Sequence, residues 1–230
     1  MASAAVLRWD IVALLCYASL ILLVYFTERA NSHGRLWEPP SRSTAFRRGF
    51  RTPPNYNDNE NFCGGFRVMH VLNRGKCGPC GDAWQLPIPR PNEDGGKYGT
   101  KTIVRSYHKG HNITAGVYLT ANHLGHFEFR LCPEPQRVRD ESCFTEHSLD
   151  IVEGPWGNAL PRGTKRFDIG ALQGMLAFKL RLPHNVTCER CVLQWNYTGG
   201  NNWGVCPNGK GRLGCGPQEV FRACADISIQ

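Results

Sequence analysis

The stretch HFEFRL, residues 126–131, puts Phe127, Phe129 and Leu131 on one side of an extended chain and His126, Glu128 and Arg130 on the other. A half-buried antiparallel strand requires that period of two. The pattern returns in FKLRL at 178–182, and the runs Cys191–Tyr197 and Val220–Ile229 read as further strands. Thr102–Tyr107 and Val117–Thr120 carry weaker versions, and no long stretch shows an apolar stripe at helical spacing.

Turn formers cluster between these runs, at 53–61, 87–99, 154–163 and 199–216. Many short strands with Gly/Pro/Asn-rich spacers predict an all-β protein, an immunoglobulin/fibronectin-like antiparallel β-sandwich with long loops and short helices. The loops before residue 100 are expected to carry those helices and a binding surface. At 230 residues, 41% of them hydrophobic, the chain can bury a core, and no repeat or linker divides it.

Residues 11–26 form an uncharged apolar block behind Arg8, followed by Thr27-Glu28-Arg29-Ala30-Asn31-Ser32. Small residues at Ala30 and Ser32 complete the pattern of a secretory signal cut after Ser32. The block is shorter than the roughly 20 residues a bilayer span needs, which argues against a membrane anchor. The expected organisation is a signal peptide, 1–32, and one secreted, extracellular domain, 33–230. Cleavage removes Arg8 and Arg29 together with Asp10 and Glu28, so the net charge of +8 is unchanged. Those charges are scattered, with no dense Lys/Arg run, and nucleic acid is not an expected partner.

Cysteine usage agrees with export. Cys16 lies in the leader, and the remaining ten, Cys63, Cys77, Cys80, Cys132, Cys143, Cys188, Cys191, Cys206, Cys215 and Cys224, predict five disulfides. Their connectivity is open among about 945 pairings. Cys77-Gly-Pro-Cys80 and Cys188-Glu-Arg-Cys191 stand too far apart for a zinc ribbon and lack a redox βαβ setting, so both read as structural bridges. Sequons at Asn112, Asn185 and Asn196 are candidate glycan sites.

All eight histidines follow residue 32. A cut before His33 gives that residue an α-amino group beside its ring Nδ1, and the two can chelate one metal. The amino pKa of about 7.7–8.0 lets metal displace its proton near neutrality. One further imidazole completes a planar three-nitrogen set suited to Cu(II). His123 and His126, in LTANHLGH at 119–126, are candidates, as are His108 and His111 around a Lys-Gly turn. Neither His-x-x-His pair has the helix and the glutamate of a zinc protease.

From His33 onward the chain resembles the copper-dependent lytic polysaccharide monooxygenases, specifically the largely invertebrate branch, auxiliary activity family fifteen. HGRLWEPPSR (33–42), NYNDN (55–59), FCGG (62–65), CGPCG (77–81), LTANHLG (119–125), FEFRLCP (127–133), LQW (193–195), GCGPQE (214–219) and FRACAD (221–226) carry the resemblance. It implies one copper ion held by the amino group and ring of His33 and by the ring of His123. Ala121 would keep one side of the copper open. Phe221 would shield the other, since a phenyl ring offers no lone pair. Gln194 and Glu219 would stand behind the ligands and steer oxygen species and protons.

The resemblance further implies an external electron donor, O2 or H2O2 as co-substrate, and hydroxylation of a sugar C–H bond next to the glycosidic link. Crystalline chitin is the first expected substrate and cellulose the second, met by a surface of Asn55, Tyr56 and Asn57; the protein is expected to be a monomer. A secreted, disulfide-rich carbohydrate-binding or cuticle-matrix protein without catalysis would share the cysteines and strands but would not need an amino-terminal His33. A zinc hydrolase would work without reductant.

Overall fold

The computed structural model describes residues 33–139 and 141–230, and the expected signal segment, 1–32, lies outside the described residues. The strands are β1 (His33–Glu38), β2 (Arg105–Tyr107), β3 (Asn112–Ala121), β4 (His126–Cys132), β5 (Asp150–Glu153), β6 (Arg166–Asp168), β7 (Gly174–Arg181), β8 (Cys188–Thr198), β9 (Trp203–Val205), β10 (Gly211–Leu213) and β11 (Val220–Ile229). One sheet has the order β1-β3-β7-β5 and the other β2-β11-β8-β4-β6, while β9 and β10 form a separate hairpin. Pairing is antiparallel except between β2 and β11, which run parallel. Helical content is short: a helix α1 (Glu141–Glu146) and single turns at Ala45–Arg48, Val68–Leu72, Pro135–Arg137 and Pro155–Gly157. Two of those turns precede residue 100, as expected.

Alternation builds the core between the sheets. Phe127, Phe129 and Leu131 of β4 are fully buried and meet Leu176, Phe178 and Leu180 of β7. Phe127 packs edge-on against Trp195 at 5.3 Å and Tyr197 at 4.9 Å between ring centroids. Each such buried ring contributes about 1.5–3 kcal/mol. β8 is buried on both faces. Leu193, Trp195 and Tyr197 enter this core, whereas Val192 joins a second cluster with Cys80, Cys132, Cys143, Phe144 and Cys224.

Five disulfides staple the loops: Cys63–Cys77, Cys80–Cys224, Cys132–Cys143, Cys188–Cys191 and Cys206–Cys215. The first CxxC is thus divided between two partners. The second closes on itself where β8 bulges, since Ile227 pairs with Cys191 but Ile229 with Cys188. Cys80–Cys224 spans 144 residues and Cys188–Cys191 spans 3. In the chain-entropy account these closures are worth about 5 and about 2 kcal/mol. Removing Cys80–Cys224 by paired alanines is expected to lower the denaturant midpoint far more than removing Cys188–Cys191, measured by guanidinium unfolding without reductant.

An ion network ties the long loop of residues 87–99 to the second sheet. Arg42 donates to both carboxylate oxygens of Asp226 at 2.7 Å, to Asp94 Oδ1 at 2.5 Å and to the Asn92 carbonyl at 2.8 Å. Arg190 joins Asp94 and Asp226 from β8.

The sequons separate by burial. Asn112 and Asn185 are exposed. Asn196 is only 3% exposed; its Nδ2 donates to Glu128 Oε2 at 3.1 Å and its Oδ1 accepts from Arg222 Nε at 2.9 Å. The expectation of a glycan at Asn196 is therefore corrected, because the folded protein has no room for a sugar on an amide already bonded within the sheet.

Candidate metal centre

His33 opens β1, and its Cα stands opposite that of Ala121, the last residue of β3. Two residues further along the same chain is His123. Gly34 makes this seat available. A Cβ at Gly34 would lie 2.9 Å from Trp195 Cη2 and 3.1 Å from Leu119 Cδ1, so only a residue without a side chain lets β1 rest on the buried indole. Thr120 Oγ1 donates to the His33 carbonyl at 2.7 Å, and the Gly34 N–H donates to Asn59 O at 3.3 Å. That second bond brings the 53–61 loop alongside, where Glu60 Oε1 lies 3.2 Å from His33 Nε2.

His123 is pinned through its backbone. Its N–H donates to the Tyr197 hydroxyl at 2.7 Å, and its carbonyl accepts from the Gly200 N–H at 2.7 Å. The ring is nearly buried, with Nδ1 3.0 Å from Glu219 Oε2. That approach is too oblique for a straight hydrogen bond, so ring and carboxylate meet as a close electrostatic pair. Nε2 of His123 makes no hydrogen bond among the described residues. The His123 ring holds the Glu219 carboxyl below its ordinary pKa against the opposing effect of burial, with the Phe66 N–H and His33 adding to the shift. One ionised carboxylate therefore feels both imidazoles.

Phe221 closes the floor. It is buried, stands edge-on to His123 at 6.2 Å between centroids, stacks on Tyr197 at 5.3 Å and is tilted against Phe62 at 6.3 Å. It is at once a core aromatic and a neighbour of the His123 ring.

The donor set fits a borderline-soft metal in a nitrogen environment. Each imidazole has a carboxylate on one ring nitrogen: Glu60 at His33 Nε2, Glu219 at His123 Nδ1. Carboxylates so placed would favour the tautomers in which the opposite nitrogens, His33 Nδ1 and His123 Nε2, keep the lone pairs a metal needs. Among the described residues no three His, Cys, Asp or Glu side chains converge as a metal-binding group. An α-amino nitrogen on His33 would be a third nitrogen donor of the kind that the two imidazoles leave wanting.

Other expected residues fall variously. Ala121 is half-buried directly across from His33. Gln194 is not brought to the site: it is fully buried and its Nε2 donates to Pro79 O at 2.7 Å. It has the opposite parity to Tyr197 along β8 and so faces the other side of the sheet. Tyr56 is 75% exposed and leans edge-on against Phe46 at 5.7 Å. Asn57 is exposed beside it, but Asn55 is buried, its Oδ1 accepting from the Asn57 N–H at 3.0 Å. Asn55 shapes the turn and does not face outward, which corrects its place on the polymer surface.

The alternative ligands lie elsewhere. His108 and His111 pack on each other at 5.4 Å beyond Asn112, at the far end of β3, about 30 Å from Ala121 by strand rise. His126 pairs with Asp168 and Thr198 in the second sheet, and burial followed by Arg166 lowers its pKa.

Two contributors escaped the sequence reading. Glu60 sat in the turn-rich 53–61 segment, of which only residues 55–59 were read as more than turn. Tyr197 ends an alternating buried face, and a buried tyrosine hydroxyl needs a polar partner, which was the available signal.

A family model described as lytic polysaccharide mono-oxygenase, cellulose-degrading, matches residues 33–227. Among solved structures, a lytic polysaccharide monooxygenase of family AA15 from Thermobia domestica, in the Cu(I) state, is similar at 45% identity and a TM-score of 0.78, covering 86% of this chain and 98% of that one. A chitin binding domain from Burkholderia pseudomallei is similar at 14% identity and a TM-score of 0.44, covering 87% and 100%. A comparison with curated proteins gave no match.

Proposed function

The chain belongs to the lytic polysaccharide monooxygenase family, copper-dependent enzymes that cleave polysaccharide oxidatively, and from that premise we propose that it is secreted as a monomer and acts on chitin first and cellulose second. The resemblance to the invertebrate branch supports chitin, while the family description names cellulose. One observation carries the site: the β1–β3 register sets His33 across from Ala121, two residues before His123.

His33, through its amino nitrogen and Nδ1, and His123, through Nε2, would hold copper. Copper held there would supply the one-electron chemistry by which, with an external reductant and O2 or H2O2, a carbon beside the glycosidic bond becomes hydroxylated. Every other task falls to the chain. Tyr197 and Gly200 fix the His123 backbone, and the negative charge of Glu219 beside Nδ1 would favour the proton there and leave the lone pair on Nε2. Glu60 does the same at His33 Nε2. Ala121, with a single methyl, leaves the approach open, and Phe221 excludes water from behind. Tyr56 and Asn57 offer a ring face and an amide to the polymer. Glycans on Asn112 and Asn185 would sit clear of the site, because Asn112 begins the strand whose other end leads to His123.

Among the described residues no helix is long and apolar enough to cross a membrane. The test is to incubate copper-loaded secreted protein with crystalline chitin or cellulose, with and without a small-molecule reductant, and to resolve soluble products by mass. Oxidised chito-oligosaccharides that appear only with reductant are expected. Hydrolytic products, or release without reductant, would overturn the assignment.

A further inference from the structure

The pole of the sandwich away from the metal centre gathers basic side chains that lie scattered in the sequence. Arg181 ends β7 and is paired across the sheet with Asn112 on one side and Asp150 on the other. Asn112 begins the ten-residue β3, whose last residue stands across from His33, so this pole lies about 30 Å from His33 by strand rise. A cleft of about 280 Å³ opens there between the start of β5, the end of β7 and the 161–165 turn, lined by Arg162, Lys165, Arg181 and His184. Asp150 is the one carboxylate lining it among the described residues.

That carboxylate is already engaged. Lys165 Nζ lies 2.6 Å from Asp150 Oδ1 and donates to Ser148 O at 2.7 Å. Two guanidinium groups are left without a carboxylate partner among the described residues: exposed Arg162, and Arg181, whose Nε reaches the neutral Asn112 Oδ1 at 3.4 Å. The turn carrying Arg162 is held in place. Thr164 donates to Pro161 O from its N–H at 3.2 Å and its hydroxyl at 2.7 Å, and its carbonyl accepts from the Ile151 N–H at 2.7 Å. His184 lies over Gly110, where a Cβ would come 2.3 Å from its Nδ1, and the Gly110 N–H donates to Pro183 O at 3.0 Å. These contacts lay the exposed Lys109 turn, with His108 and His111, beside the cleft.

We propose that the cleft is a second, non-catalytic site that binds an acidic polysaccharide, with Arg162 and Arg181 taking a sulfate or carboxylate of the chain and the Lys109 turn meeting its next charged unit. Planar guanidinium forks match such oxygens in pairs of hydrogen bonds. The volume falls just below the roughly 300–1,000 Å³ of sites that enclose a whole small molecule, and suits one charged sugar of a longer chain. Basic groups that continue past the cleft favour a polymer over a single ion. Chitin and cellulose are uncharged and give no use to a net charge of +8. A chain held at this pole leaves the metal centre at the other one uncovered.

The test is equilibrium binding of copper-loaded protein to heparin, which carries sulfate and carboxylate, to hyaluronan, which carries carboxylate alone, and to free sulfate. Copper affinity and release of oxidised sugar are measured beside it. Arg162→Gln combined with Arg181→Gln is expected to weaken heparin binding about tenfold and to leave copper affinity and reductant-dependent product unchanged. Arg74→Gln with Lys210→Gln removes the same charge from exposed positions outside the cleft, and should weaken binding less than about twofold. Hyaluronan bound through the two arginines assigns the contact to carboxylate, and heparin alone so bound assigns it to sulfate; either supports the site. Free sulfate that displaces heparin at an equal concentration of sulfate groups assigns the cleft to a simple anion and overturns the proposal. No binding by wild type, or equal loss in both double variants, overturns it too. Arginine-dependent binding by protein that releases no oxidised sugar leaves this site standing and overturns the enzymatic reading.

Discussion

Protein that keeps one extra alanine ahead of His33 is expected to bind copper at least about 100-fold more weakly than protein beginning at His33, and to release no oxidised oligosaccharide. Loss of a partner that merely orients a ligand already costs about 10–100-fold. The extra residue does more, because it turns an amine into an amide whose nitrogen has no basic lone pair, and the chelate with Nδ1 is lost. His33 Nε2 would still meet Glu60, and β1 would still pair with β3, so the melting temperature without metal should not move. Isothermal titration with copper on both forms, each verified by N-terminal sequencing, decides the matter. Equal affinity would remove the amino group from the site.

His123→Ala is expected to have an effect of similar size on metal binding and to abolish polymer oxidation. The backbone bonds to Tyr197 and Gly200 do not need the imidazole, so secretion and fold should survive. The ring also keeps the Glu219 carboxyl low, and its removal leaves a half-buried carboxylate without that partner; a modest fall in stability is therefore expected as well. His126→Ala is the control. Its backbone pairs with β6 and β8 on the second sheet, and copper affinity should be unchanged. Copper affinity that falls with His126 and not with His123 would relocate the second ligand.

How far these features could be read in the sequence depended on strand length and on parity. β4 and β11 were legible because six or more residues alternate without interruption. β5, β6, β9 and β10 have only three or four residues each, too few for a period of two to emerge, and they form because longer neighbours supply their partners. β1 was legible as a motif but not as a strand. The parallel β2–β11 pair could not be anticipated, since three residues carry no mark of direction. At the site, His33 came from the expected cleavage point and His123 stood among four candidate imidazoles; the resemblance singled out His123 and added Phe221, and the register sets His33 across from Ala121, two residues before His123. Gln194 was misplaced although counting by twos from Tyr197 would have sent it to the opposite face. Glu60 had no sequence signal, because its role arises only once Asn59 bonds to Gly34.

The excursion of residues 199–219 between two adjacent strands has a consequence for divergence. A connection between antiparallel neighbours needs as few as two residues, and the closure entropy of a longer one rises by only about 0.6 kcal/mol for each doubling of length. Lineages can therefore lengthen, shorten or redecorate this excursion while Tyr197, Glu219 and Phe221 stay in register beneath it. The tip can thus change shape while the stacking of Tyr197 on Phe221 and the bond from the His123 N–H to the Tyr197 hydroxyl stay as they are.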